Sequence, residues 1–372
     1  MKHPESTRHA PALADAGFPP TRSAALARIA AVDTEAYART RNAIDGAVSR
    51  LSPYLTHGLV TLPEVLAGVA VGQLLPVQHK FVYELGWREY FRHVWAHRGD
   101  GILQSLHAGP LPDDAYSREL PDDVRGAATG IPVIDEAVRE LAATGWLHNH
   151  ARMWLSSYLV HGRKLHWRTG ADWMLGQLLD GDRASNHLGW QWVAGTGSTK
   201  PYLFNADNVA RHAPRSWHSR GSAIDLGYDA LEALARSRRS LPAGRGAATL
   251  APPALLDAPP PEAGFSAPLA EAVIGRDVWL VHPWSLRPPP ADLPAGTVVI
   301  GLALPEWHQA WPWSLARWQF VAGAMATLTR ERWHAGRAAV ASVLSQARSV
   351  QAQSDPHAEP ALSTLARTRP AP

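Results

Sequence analysis

Cysteine is absent from the 372 residues, which excludes disulfides, thiolate zinc sites, iron–sulfur clusters and cysteine nucleophiles. Long apolar runs are absent too. The most apolar stretch, Val60 to Val77, is broken by Pro63, Glu64, Gln73 and Pro76, and residues 1–20 hold no apolar signal core. A membrane span and a secretory leader therefore have no support, and a cytoplasmic protein is the expectation. Charge is nearly balanced: 36 Lys and Arg against 33 Asp and Glu leave a net +3, which permits a nucleic-acid partner without requiring one. Phe and Tyr are scarce, at 6 and 8, whereas there are 16 Trp, half of them at or before Trp192. Tryptophan offers a stacking face and an oxidisable ring, and it also fills cores and interfaces.

At ~150 residues per domain the length allows two to three domains. Residues 1–20 read as a flexible N-terminus. Residues 21–240 read as an all-helical domain, with apolar residues at three- and four-residue spacing and almost no period-two alternation. Within it, Pro132 to Ala143 predicts a helix stopped at Thr144-Gly145, Trp146 to His161 a second, and Asp172 to Leu179 a short third. Residues 241–270, dense in Pro, Ala and Gly, read as an interdomain linker without a packed element. Residues 271–348 hold two short apolar runs, Val278 to Val281 and Val298 to Leu302, then a helical pattern from Pro312 to Leu328, which predicts a small α/β unit. The polar, proline-rich residues 349–372 read as a disordered tail.

Several segments could carry chemistry. Helical spacing sets Glu84, Trp87 and Arg88 on one face, where a carboxylate beside an indole could hold a polar ligand stacked on the ring. The same spacing also suits an ordinary helix with a Glu84–Arg88 pair. Trp146, Asn149 and Met153 share another stripe with Arg152 beside it. His93 and His97 lack a third ligand, and the Asp180-Gly-Asp-Arg-Ala-Ser-Asn186 string lacks both the central Gly and the closing Glu of a calcium loop. No metal is expected. No GxGxxG follows a strand, so a Rossmann dinucleotide site is unsupported.

Taken in chain order, Ser49-Arg-Leu-Ser-Pro-Tyr-Leu, Glu84-Leu-Gly-Trp-Arg-Glu-Tyr-Phe-Arg-His, Thr129-Gly-Ile-Pro-Val-Ile-Asp, Gly145-Trp-Leu-His-Asn-His-Ala-Arg-Met, Leu179-Asp-Gly-Asp-Arg-Ala-Ser-Asn-His-Leu-Gly-Trp-Gln-Trp and Gly195-Thr-Gly form a pattern. This pattern, over about residues 22 to 210, resembles the helical FAD-binding domain of the DNA photolyase and cryptochrome family. The resemblance implies FAD as cofactor. It assigns Ser49, Arg50, Leu51 and Ser52 to the diphosphate turn and Tyr37 and Arg92 to further flavin contacts. Arg152 and Asp180 match a salt bridge flanking the isoalloxazine, Asp182 lies against the flavin, and Asn186 faces its N5, where an amide can donate or accept. Glu84, Trp87, Asn149, Met153 and Trp192 match the pocket for a flipped pyrimidine dimer, with Glu84 and Asn149 as catalytic groups. Trp190 and Trp167 match the inner members of a tryptophan electron chain.

The sequence also departs from that pattern. Val48 replaces a Thr of the phosphate turn, no Trp stands at the outer chain position, where Tyr116 is the nearby oxidisable aromatic, and the run after Gly197 becomes Lys200-Pro-Tyr-Leu-Phe-Asn205. The N-terminal α/β antenna domain of ordinary photolyases is not found. The α/β residues 271–348 read as an unrelated accessory unit, with a remnant or replacement of that antenna domain as the other possibility. The expectation is a monomeric, light-driven, FAD-dependent enzyme that splits cyclobutane pyrimidine dimers in UV-damaged DNA. The alternative is a cryptochrome-like light or redox sensor without repair activity.

Overall fold

Caps and stops in the sequence set the helix ends. In the computed structural model, which describes residues 17–72 and 74–370, Thr61 accepts from the Glu64 amide at 3.3 Å while Glu64 accepts from the Thr61 amide at 2.8 Å. This reciprocal pair opens the helix Leu62–Val69. The helix Pro132–Thr144 starts on proline and stops at Gly145, whose φ of 65° suits a residue without Cβ. Asn149–Ser157 is shorter than expected, because the chain widens into a π turn over Tyr158–Gly162. Trp167–Gln177 starts earlier than expected. Its Gly170 obscures the helical pattern, and a Cβ there would run into the Trp190 ring. Arg183–Ala194 is capped by Asp182 and closed by Gly195.

The helix Arg183–Ala194 packs against Lys80–Arg98, Asn149–Ser157 and Trp167–Gln177. A core including Leu147, Trp154, Leu159, Trp167 and Trp190 fills this helical unit. Each large side chain fully removed from water there contributes ~1.5–3 kcal/mol.

The α/β unit holds β2 (Asp277–Val281), β3 (Val298–Ala303), β5 (Arg332–His334), β6 (Ser349–Gln353) and β7 (Arg367–Arg369). They form one parallel sheet in the order β5-β3-β2-β6-β7, with Val278 opposite Val298 and Val350. The strand order reverses between β2 and β6. β2 is buried throughout, as a strand covered on both faces must be. A second core joins this sheet to the first helices, including Ile29, Leu51, Tyr54, Leu280, Ile300 and Phe320.

Two expectations need correction, and a third lies mostly outside the described residues. Residues 349–370 are not a disordered tail: they carry β6 and β7, strands too short and polar to read alone, which gain burial and hydrogen bonds from the existing sheet. Residues 241–270 are pinned rather than free. Leu241 N donates to Gly162 O at 2.7 Å, Gly244 N to Asp123 at 2.7 Å, and β1 (Leu255–Leu256) pairs antiparallel with β4 (Trp313–Ser314). The flexible N-terminus falls outside the described residues up to residue 16, and after it Phe18 packs on Tyr54 and Trp146.

Candidate functional site

The loop Asp180-Gly181-Asp182 joins two helices of the helical unit, and both carboxylates are buried. Arg152 Nη2 donates to both Asp180 oxygens, at 3.0 and 2.8 Å, while its Nε donates to Leu147 O at 2.8 Å. Burial alone would push Asp180 up, but Arg152 and a hydrogen bond from Ser52 hold it below the usual carboxylate range. Asp182 accepts from Ser185 N at 2.8 Å and faces Arg92 Nη2 at 3.3 Å and Arg88 Nη2 at 3.9 Å. Burial opposes its charge too, yet the two guanidinium groups keep it ionised far below its ordinary value.

Ser49 to Ser52 makes a strained turn, with Arg50 at φ 51°. The Arg50 guanidinium lies 4.4 Å over the Trp146 ring and 5.1 Å over Phe18, and Trp146 Nε1 donates to Ser52 Oγ at 3.2 Å. Leu51 is buried beneath. Tyr37 packs edge-on against Phe81, and burial, with the Glu84 charge next, pushes its hydroxyl up. Arg50 Nε, Arg92 Nε and Ser185 Oγ are buried without hydrogen-bond partners. Unpaired buried donors cost ~1–3 kcal/mol each. A polar, anionic ligand reaching this turn and loop would complete them.

Asn186, one turn along from Asp182, donates one amide N–H to Ala171 O at 2.8 Å. Asn149 Nδ2 lies 3.5 Å from Met153 Sδ. Glu84 takes Arg41 Nε at 3.4 Å, not Arg88, so the alternative of an ordinary Glu84–Arg88 helix pair is not realised; Arg88 donates to Thr56 Oγ1 at 2.8 Å and turns toward Asp182. Arg41 also stands by His148 and His150 and so connects Glu84 to the Asn149 helix. Trp87 and Trp192 are 37% and 40% exposed, Trp87 packing against Tyr83, Tyr90 and Phe91 and Trp192 against Tyr202. Trp190 and Trp167 are buried in one core, and Trp167 Nε1 donates to Ser105 Oγ at 3.0 Å. His166 stacks on Trp167 at 5.9 Å and meets Tyr116 at 6.4 Å.

The flavin-side set, Arg50, Ser52, Arg92, Arg152, Asp180 and Asp182, is thus one connected group with unspent donors. Residues 81–221 match the family described as the FAD binding domain of DNA photolyase. This region belongs to the photolyase and cryptochrome family. FAD is the cofactor of that domain, and the orphaned donors fit it. The chain is 39% identical over 159 residues to a deoxyribodipyrimidine photo-lyase of Streptomyces griseus, covering 42% of this chain and 34% of the relative. It is 35% identical to a deoxyribodipyrimidine photo-lyase of Thermus thermophilus, covering 55% and 52%, and 33% identical to a cryptochrome DASH of Gloeobacter violaceus, covering 44% and 34%. The chain therefore spans about a third to a half of the length of these relatives.

Sequence reasoning missed Thr56, Arg41, Arg317, Asp355 and His357, all of which touch this site. Arg92 Nη1 reaches Asp355 at 3.2 Å, and His357 stands 3.7 Å from Asp182. No motif marked the last two, which fall in the supposed tail. Among the described residues no helix is long and apolar enough to cross a membrane, and no cluster of acidic and histidine side chains could hold a metal.

Proposed function

We propose that this protein binds FAD and uses light to split cyclobutane pyrimidine dimers in DNA. The observation that carries the reading is a buried, charged group, Arg152, Asp180, Asp182 and Arg92, beside a turn whose buried Arg50 Nε has no partner. Glu84, Trp87, Asn149, Met153 and Trp192, which match the family's dimer pocket, support the substrate side of the reading. Reduced FAD supplies, when bound, a photoexcitable one-electron donor. The residues do the rest. Asp180 and Asp182 are held ionised as acceptors for ligand N–H and O–H groups, and the Ser49 to Ser52 turn with Arg50 offers donors to a diphosphate. Trp87 and Trp192 would stack an extruded dimer, at ~1–3 kcal/mol per base. Glu84 and Asn149 would hydrogen-bond its polar edge, with Arg41 holding the Glu84 carboxylate in place.

The test is illumination of the chemically reduced, FAD-loaded protein with an oligonucleotide carrying one dimer. Loss of dimers only in the light is expected, and none after prolonged illumination would overturn repair. A light- or redox-sensing role without repair is the second reading, supported by the outer position of the electron chain, where no Trp stands. DNA binding separates the two readings. A repair enzyme prefers dimer-containing over undamaged DNA and loses affinity steeply with salt.

A further inference from the structure

The α/β unit touches the Asp180-Gly181-Asp182 loop from three directions. Arg317, buried on the helix Leu315–Ala326, donates through Nη2 to Gly181 O at 2.7 Å and through Nη1 to Leu175 O at 3.4 Å. It enters where only glycine leaves room, since a Cβ on Gly181 would collide with Arg317 Nη1 and come within 2.6 Å of Leu175 O. His57 sets its two ring nitrogens against Pro283 O, just after β2, at 2.6 Å and Leu179 O at 2.8 Å. Just after β6, Asp355 takes Arg92 Nη1 at 3.2 Å and His357 Nδ1 at 2.8 Å, while Arg183 N donates to His357 Nε2 at 3.1 Å. His357 is thus a neutral ring donating through Nδ1 and accepting through Nε2, and burial keeps it neutral.

In open α/β sheets a ligand ordinarily enters the crevice beyond the carboxyl ends of the strands, where the strand order reverses. Here that point lies between β2 and β6, and the groups just beyond both strands engage the helical unit instead. Asp355 and Asp182 share the Arg92 guanidinium, which stops Arg92 from closing fully on Asp182. Arg317, which forms no salt bridge among the described residues, fixes the main chain between the two aspartates through Gly181 O.

We propose that the α/β unit is a positioning element of the flavin site, in which Asp355, His357 and Arg317 hold the Asp180–Asp182 loop in the geometry that binds FAD. The inference rests on FAD occupying the site and is independent of whether the protein repairs DNA. On this proposal the α/β unit is part of the flavin site, because the loop would be only half supported without it.

The test uses the full chain freed of FAD and titrated with FAD, with quenching of flavin fluorescence giving the affinity and thermal unfolding followed in parallel. Asp355→Asn, His357→Leu and Arg317→Met are expected to weaken FAD binding at least tenfold at a temperature where each variant is still folded. His357→Gln, which keeps an acceptor for Arg183 N, should recover most of the loss. Val340→Ala, in the core of the α/β helix Arg337–Leu344, should lower the unfolding temperature and leave FAD affinity unchanged. If Asp355→Asn and His357→Leu unfold earlier yet bind FAD like the wild type, the contacts are only structural and the proposal falls. Wild-type protein that fails to bind FAD would overturn the flavin site itself, an outcome distinct from selective loss in the variants.

Discussion

The indole of Trp311, carried by the α/β unit, meets the ring of His187 edge-on with centroids 5.6 Å apart. His187 in turn lies edge-on to Trp167 at 6.3 Å. Trp167 therefore has two aromatic neighbours leading outward, His166 toward Tyr116 and His187 toward Trp311. Neither is a good place for a positive hole. Arg183 lies 5.7 Å over the Trp311 ring and Arg168, itself paired to Asp172 at 2.7 Å, lies 5.5 Å over it. At an effective dielectric near 20 an unpaired cation at that distance opposes the charge by ~3 kcal/mol, and the Asp172 pairing reduces the share of Arg168. Tyr116 must shed its proton on oxidation, and burial, followed by Asp113, pushes its hydroxyl up. Light alone should reduce bound FAD slowly. Trp190→Phe should abolish most of that reduction, with smaller losses in Tyr116→Phe and Trp311→Phe and a pH dependence only where Tyr116 is retained. Bleaching of the oxidised flavin band under steady light measures it, and fast bleaching in Trp190→Phe would refute the path.

Breaking the Arg152–Asp180 pair from the arginine side leaves a buried carboxylate alone. Asp180 is 3% exposed at its side chain, and Arg152 supplies both of its close cationic contacts. Arg152→Leu should cost ~3–5 kcal/mol in urea unfolding, whereas Arg152→Leu combined with Asp180→Asn should recover a large part of it. Equal stabilities for the single and double variants would mean that Asp180 finds another partner.

Much of the helical unit was legible because its signals are local. Pro132 and Gly145 mark the ends of one helix where they lie. Local pattern failed where a residue answers to something distant. Gly170 admits the Trp190 ring, and Gly181 belongs to Arg317, which is 136 residues away in sequence. Asp355 and His357 sit in a polar, proline-containing stretch whose order comes from pairing with β2 and contact with Arg92. No period or cap announces such contacts, so a segment that composition calls disordered can hold a site together.

Gly170 offers a sharp packing test. An interior helical Gly→Ala exchange ordinarily stabilises by ~0.5–1 kcal/mol, but a Cβ here would overlap the Trp190 ring. Gly170→Ala should instead destabilise by ~1–3 kcal/mol, as overpacking does, and should shift the tryptophan emission. A more stable variant with unchanged emission would show that Trp190 does not lie where it is described.

Acid should unfold this protein in two stages with separable causes. His148, His161 and His357 are each pushed down to about 4, chiefly by burial, against ~6.5 in an unfolded chain. Between those values the unfolded state binds more protons, so the stability these rings contribute is complete above pH ~6.5 and drains away as pH falls. At pH 4 each ring has withdrawn on the order of 3 kcal/mol, so three together rival the whole ~5–15 kcal/mol margin of an ordinary domain. Asp180, Asp182 and Asp355 are held below their ordinary value, so their contribution persists above pH ~4 and is lost only below it. Urea midpoints measured from pH 8 to pH 4 should stay level down to pH ~6.5 and then fall. His161→Gln, which alters a ring whose Nε2 lies 2.9 Å from Val193 O, should reduce the slope by about one proton without moving its onset. A midpoint that stays level down to pH 4.5 would mean that these histidines are not buried neutral in the folded protein.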